Sequence, residues 1–423
     1  MLKKTFLSAL AVVIVLPIMA MANGLNLNGL GTRAQAMGGA FVGVADDFSA
    51  VFWNPAGAAA FRKEMFGFYA ADLMPRATFG QWPITLEVPI IDAKTPTSHY
   101  LNFLGAYYKP ISSKVVVGLG IGTPSSQGIV WDGTDFADGT DGTAYDLSRK
   151  TAVFTFSPLV AVKLTEWLSV GAALNVNLGT FDLKKPEAVL LDEGSVDLQY
   201  EENMTGWGFG ATFGVLAEPI KKLAIGLAVR TPSTISYDGK ARLSGLSLYG
   251  LPDSSALKRK ITWPLWIAGG ISFRPVGRLL LSADVQWTQW SKLNQITTSY
   301  LEPSWPLFII PGSIEGPPAF GLPALSWENS TQLRFGVEYS VGSATNLRAG
   351  YYSDPAPGRS DILFQNYRFN AFTVGIGKTF GDLQLDFGLE YLAGTRQTND
   401  FGFVGTTRKM DIVVPSVSAS YKF

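Results

Sequence analysis

Along residues 413–423 the side chains alternate: Val413, Pro415, Val417, Ala419, Tyr421 and Phe423 fall on one face of a strand, with Val414, Ser416, Ser418, Ser420 and Lys422 on the other. A strand sends successive side chains to opposite faces. An apolar face set in hydrocarbon and a polar face over an aqueous lumen would satisfy this pattern, as in a barrel that spans a membrane with strands. A strand at the edge of a soluble domain alternates in the same way, so the rest of the chain decides.

The other end agrees. Lys3 and Lys4, an apolar run from Phe6 to Ile18, and then Ala20, Met21 and Ala22 form the charged, greasy and small-residue parts of a secretory signal, with cleavage expected after Ala22. The run is shorter than the roughly 20 residues an anchoring helix needs. The chain has no cysteine, which excludes a lipidated cysteine, a disulfide framework and thiolate metal sites. Basic and acidic residues balance at 34 each, so no global field recruits nucleic acid. Hydrophobic residues make up 47% of the chain, yet no later apolar run reaches helix-spanning length, which favours membrane strands. No linker divides the 423 residues into two soluble domains.

From Met65 onward the pattern predicts about fourteen strands joined by alternately short and long connections. The short ones centre on Ser112-Ser113, Leu164-Glu166, Pro219-Lys222, Pro275-Gly277, Gly342-Ala344 and Gly381. The long ones lie near 80–97, 123–144, 182–194, 239–255, 292–325, 355–365 and 397–408. Short turns on one rim and long loops on the other predict an all-β, antiparallel, up-and-down transmembrane barrel. Leu168, Val170, Leu174, Val176, Leu333, Phe335, Val337, Leu385, Phe387 and Leu389 should then face lipid. Arg334, Glu338, Asp386 and Glu390 share the opposite parity and should point into the lumen, pairing with one another, because a charge in lipid costs kilocalories.

Residues 23–64 are different: glycine- and alanine-rich, with Gly38-Gly39 and Asn54-Pro55-Ala56-Gly57, and too irregular for a strand. A lumen this wide needs filling if water flow is to stop, so the segment is expected to fold inside as a plug. The alternative, a disordered arm, suits Phe41, Phe48, Phe52 and Trp53 poorly. The expected organisation is signal peptide 1–22, plug 23–64 and barrel 65–423.

The runs Gly31-Thr32-Arg33-Ala34-Gln35-Ala36-Met37-Gly38-Gly39-Ala40 and Trp53-Asn54-Pro55-Ala56-Gly57 resemble the plug of the FadL/TodX outer-membrane transporters. Gly226 to Pro232, Asp284 to Ser291 and Leu347 to Pro357 are similar to that family's recurring strand motifs, in order along the chain. The resemblance implies a monomeric fourteen-stranded barrel, set in outer-membrane lipid and closed by an amino-terminal hatch. It implies passive diffusion of long-chain fatty acids or similar hydrophobic compounds. The ligand would be caught between extracellular loops, held in an inner pocket that the amino terminus reaches, and released sideways at a kink in the third strand. A monoaromatic-hydrocarbon importer of the same fold is the alternative. An outer-membrane enzyme or a purely structural barrel is the alternative from another class.

Candidate site residues follow from these readings. Trp305, Leu307, Phe308 and Ile309 lie in one apolar loop, and Leu248 and Leu251 could form the facing wall of a reception site. Arg230 and Arg348 have inward parity and could receive a carboxylate, or bridge an internal acid such as Asp284 or Glu338. Gly118, Gly120 and Gly122 leave one face of the third strand bare, a candidate lateral exit or packing space for the plug. Asn54, Pro55 and Ala56 would anchor the plug through a side-chain-bonded turn. Asp132, Asp135, Asp138 and Asp141 lack the spacing of a calcium loop, and Thr143 stands where its bidentate glutamate would be. His99 is the single histidine, and no serine nucleophile motif accompanies it, so neither metal, cofactor nor catalysis is expected.

Overall fold

The computed structural model describes residues 28–81, 91–139, 142–191, 194–293, 296, 298–305, 327–357, 367–398 and 406–423. The signal segment 1–22 and loop residues Leu307, Phe308 and Ile309 lie outside them.

Fourteen barrel strands follow in order. They are β1 (Met65–Gln81), β2 (Tyr100–Pro110), β3 (Val115–Trp131), β4 (Leu147–Lys163), β5 (Leu168–Leu191) and β6 (Gly194–Ile220). Next come β7, in two pieces (Leu223–Arg230 and Ser233–Ser244), and β8, also in two (Ser254–Trp263 and Trp266–Val276). The circuit ends with β9 (Leu279–Thr288), β10 (Ser330–Val341), β11 (Thr345–Asp354), β12 (Phe369–Phe380), β13 (Leu383–Thr398) and β14 (Thr406–Lys422). Each pairs antiparallel with its sequence neighbour, and β14 returns to β1 from Met65↔Lys422 to Gly80↔Thr407, closing the sheet. Among the described residues no helix is long and apolar enough to cross a membrane.

The alternation has the predicted sense. Phe335, Phe387 and Val417 face outward and exposed, while Arg334, Glu338, Asp386, Glu390, Ser416 and Ser418 are buried. The six short turns fall where expected, but several of the long connections are partly strand, residues 239–244 among them. Residues 182–191 and 194–199 continue a hairpin, making β5 24 and β6 27 residues long. Thr123–Trp131 likewise remain strand. In both, tertiary pairing overrides the polar composition that suggested a loop.

β7 and β8 break in register with each other, at Thr231-Pro232 and at Pro264-Leu265, between the pairs Arg230↔Trp266 and Ser233↔Trp263. Proline has no N–H to give a ladder, which explains both gaps.

The wall encloses residues 28–61. These form α1 (Thr32–Ala36), α2 (Ala50–Trp53) and a 3-10 turn, Pro55–Ala60. Helices this short do not persist alone, so contacts with the wall must hold them. Asp284 of β9 accepts from the backbone N–H groups of Phe41 and Val42, both at 2.9 Å. Arg334 of β10 donates to the Gly38 carbonyl at 3.1 Å, and Gln35 donates to Glu390 of β13 at 3.0 Å. Across the bore, the Tyr108 hydroxyl of β2 donates to the Phe48 carbonyl at 2.7 Å. Arg33 bonds Glu338 at 2.8 and 3.0 Å and also meets Asp46. Burial pushes the Asp47 carboxyl up, against the pull of Arg33 and of hydrogen bonds from Ser49.

Asn54 donates to the carbonyls of Val42 (2.9 Å) and of Val215 on β6 (3.0 Å), and accepts from Ala56 N–H at 3.1 Å. The turn approaches so closely that a Cβ on Gly171 of β5 would stand 2.5 Å from Ala56 N, and one on Gly214 of β6 would be 2.9 Å from Pro55 Cδ. Gly171→Ala should therefore destabilise the barrel by about 1–3 kcal/mol. Gly269→Ala, at a position with nothing within 4 Å, should be neutral. Urea midpoints of the two variants would separate these cases, and equal midpoints would contradict the close fit.

Candidate functional site

Between the α2 end of the leading segment and strands β2 to β8 lies a cavity with about 850 Å³ of empty space, its open mouth included. Leu30, Val51, Phe52, Leu104, Val153, Ile235 and Trp266 give it apolar surface. A polar ladder crosses the remaining wall. Thr155 and Ser157 of β4 donate to the side-chain oxygens of Asn177 (2.6 Å) and Asn175 (2.8 Å) of β5. Asn175 donates on to Thr212 of β6 at 2.9 Å, and Asn177 to Ser233 of β7 at 2.8 Å. The asparagines sit on inward positions because the alternation of β5 requires it, and each is satisfied by its neighbours.

Arg230 stands at the end of the first piece of β7. Its guanidinium carbon lies 4.0 Å from the Phe52 ring centre and 4.3 Å from that of Trp266, and Nη2 donates to the Phe52 carbonyl. Among the described residues no carboxylate lies within ion-pair distance of it. The bridge to Asp284 considered from sequence does not form, because Asp284 holds the backbone of Phe41 and Val42 instead. Trp263 lines the same cavity, and its buried Nε1–H has no partner there.

Arg348 is different. It bonds Glu338 at 2.7 Å and Asp386 at 2.6 Å, is almost fully buried, and does not line the cavity. Its donors are engaged by wall carboxylates, one of them Glu338, the bridge that the sequence offered as the alternative to a ligand role. Arg334 and Glu390, expected to pair within the wall, reach instead for the leading segment.

Gly120 and Gly122 line the cavity, whereas Gly118 does not. A Cβ on Gly118 would meet the Tyr108 ring at 2.7 Å, and one on Gly120 would meet Val51 at 2.8 Å. Beside them the wall forks. β2 and β3 pair only from Pro110↔Val116 to Leu104↔Gly122, although both continue past that point, and the β3–β4 register shifts between Gly122 and Ser125.

At the rim, Trp305 is buried, its indole N–H donates to the Pro252 carbonyl at 2.8 Å, and its ring centre is 5.3 Å from that of Tyr300. It packs under the 245–253 loop and does not reach the cavity. Leu251 is half-buried there and Leu248 is exposed. Asp132 is capped by Thr134, at 3.0 Å from N–H and 2.7 Å from hydroxyl, and Asp135 accepts from Lys94 N–H at 3.1 Å. Among the described residues no cluster suits a metal ion.

The polar ladder and the aromatic pair around Arg230 were missed from sequence. Asparagines at inward strand positions were the available signal for the first.

A closed antiparallel wall that is greasy outside and polar inside is that of an outer-membrane β-barrel. The chain belongs to the outer membrane protein transport protein family (OMPP1/FadL/TodX), which it matches over residues 13–418. It is therefore an outer-membrane transport protein of the Gram-negative type, in a family of channels and not of enzymes. Outer membrane protein P1 of Haemophilus influenzae is 21% identical over 411 residues, covering 86% of this chain and 84% of the relative. The P1 protein of strain Rd is 21% identical over 323 residues, 69% of this chain, and the match spans 65% of that relative's length. A Pseudomonas aeruginosa FadL homologue superposes with TM-score 0.77 at 17% identity, over 95% of this chain and all 100% of that one. The Pseudomonas putida toluene transporter TodX does so with TM-score 0.72 at 16% identity, over 94% and 99%.

Proposed function

We propose that this protein takes up long-chain fatty acids, or hydrophobic molecules of similar shape with an anionic head, by passive diffusion through a plugged barrel. The observation that carries this reading is Arg230: a cation held between two aromatic rings, with no carboxylate among the described residues within ion-pair distance, in a pocket otherwise apolar or neutral. Each methylene withdrawn from water contributes about 0.8 kcal/mol, which drives the tail into the apolar part. A guanidinium binds both oxygens of a carboxylate and stays charged, which offsets the head group's desolvation.

A lateral exit at the β2–β3 fork completes the route. Val51 fills the space that the bare face of Gly120 leaves, and the next residue, Phe52, carries the carbonyl that Arg230 holds. A carboxylate that takes Arg230 competes with that carbonyl, so head-group arrival and withdrawal of Val51 would be coupled through one peptide. Residues 23–64 act in this reading as the stopper.

The test is uptake of labelled oleate beside toluene by cells whose own transporter has been deleted. Gly120→Leu, which wedges the gap, should lower oleate uptake at least ten-fold. Unchanged uptake would remove the fork as the exit. Toluene uptake with no oleate uptake would favour a monoaromatic importer, and equal passage of a small sugar would indicate an open, water-filled pore.

A further inference from the structure

We propose that the outer surface of β6, β7 and β8, just above the apolar belt, binds phosphate groups of lipid head groups in the outer leaflet. The outward residues there change character along the strands. On β6, Phe213, Phe209 and Trp207 are exposed and apolar, and Trp207 ends the run. Its partner on β7 is Ser236, which in turn pairs with Lys260 of β8. At that level Lys260, and beyond it Lys240, Arg242 and Lys258, point outward and are exposed. Along the unbroken β6, Trp207 lies ten residues from Ala217, the partner of the lipid-facing Ile225. At roughly 3.3 Å per residue and a tilt of roughly 40°, that is about 25 Å, the height of the apolar band. The cations therefore begin where hydrocarbon ends and head groups start, directly above a tryptophan of the kind that marks that interface.

The local charge is not cancelled. Lys258 reaches Asp238 only at 3.7 Å with both groups open to solvent, and Glu201, opposite Arg242, bonds Lys184 at 3.1 Å. Among the described residues Lys240, Arg242 and Lys260 have no carboxylate within 4.0 Å. Four cations on two adjacent strands face two nearby acids, a surplus that suits a doubly charged phosphate monoester. This side also carries β7 and β8 at their paired breaks, so a bound head group would brace the wall behind Arg230.

The full-length protein in neutral detergent would be titrated by native mass spectrometry with bisphosphorylated lipid A and, separately, with the same lipid dephosphorylated. The wild type should retain the phosphorylated lipid at least ten-fold more tightly. Lys240→Gln/Arg242→Gln/Lys258→Gln/Lys260→Gln should lose that preference, while Lys221→Gln/Lys222→Gln at the opposite rim should keep it. Equal retention of both lipids by the wild type would overturn the proposal whether or not the fourfold variant folds. So would an unchanged preference in the folded variant, or displacement of the lipid by low-millimolar inorganic phosphate.

Discussion

Arg230→Met is expected to reduce uptake of long-chain carboxylates by about ten- to a hundred-fold while leaving a neutral hydrocarbon of equal size within about two-fold. A hydrogen bond to a charged group contributes roughly 1.5–3 kcal/mol, and every 1.4 kcal/mol is a factor of ten. Methionine keeps much of the apolar volume between Phe52 and Trp266, so the aromatic packing survives better than it would with alanine. Arg230→Lys should fall between, since a lysine retains the charge but not the planar fork. Side-by-side uptake of oleate and its alcohol analogue makes the measurement. If both ligands fall equally, Arg230 only supports Phe52 and the head-group assignment fails.

Asp284→Ala is expected to loosen the leading segment from the wall. Two buried N–H groups, those of Phe41 and Val42, lose their carboxylate together. Two charge-assisted bonds at roughly 1.5–3 kcal/mol each put about 3–6 kcal/mol at stake, a large share of what holds any small element in place. The outcome should be a barrel that still forms but leaks, seen as new single-channel conductance in planar bilayers and as sensitivity of cells to bulky antibiotics. Asp284→Asn, which keeps an acceptor oxygen, should leak less. A silent bilayer for Asp284→Ala would show that the remaining contacts of Arg33, Gln35, Asn54 and Tyr108 suffice without it.

Most of the architecture was legible because lipid makes the alternation of faces nearly obligatory. Parity alone placed Arg334, Glu338, Asp386 and Glu390 inside, and the turns at Gly342 and Gly381, both at positive φ, were marked by glycine. Where strands end was less legible. Beyond the bilayer the lipid constraint lapses, so the polar 182–194 stretch looked like a loop although residues 182–191 pair along their whole length with β6. The strand breaks left a trace in Pro232 and Pro264, but only the register shows that the two gaps face each other. The site was least legible. Arg230 and Arg348 have the same parity and similar neighbours in sequence, and their different fates depend on partners far away: Phe52 and Trp266 for one, Glu338 and Asp386 for the other. One-dimensional pattern carries no record of such pairings.

The seam between β1 and β14 sits beside the root of the leading segment, where Phe423 N–H donates to the Glu64 carbonyl at 2.9 Å. The first and last parts of the wall pair across the greatest separation along the chain, and so carry the largest loop-closure cost. The residues just before β1 lie beside that closure, so the wall can shut only around them or with them outside.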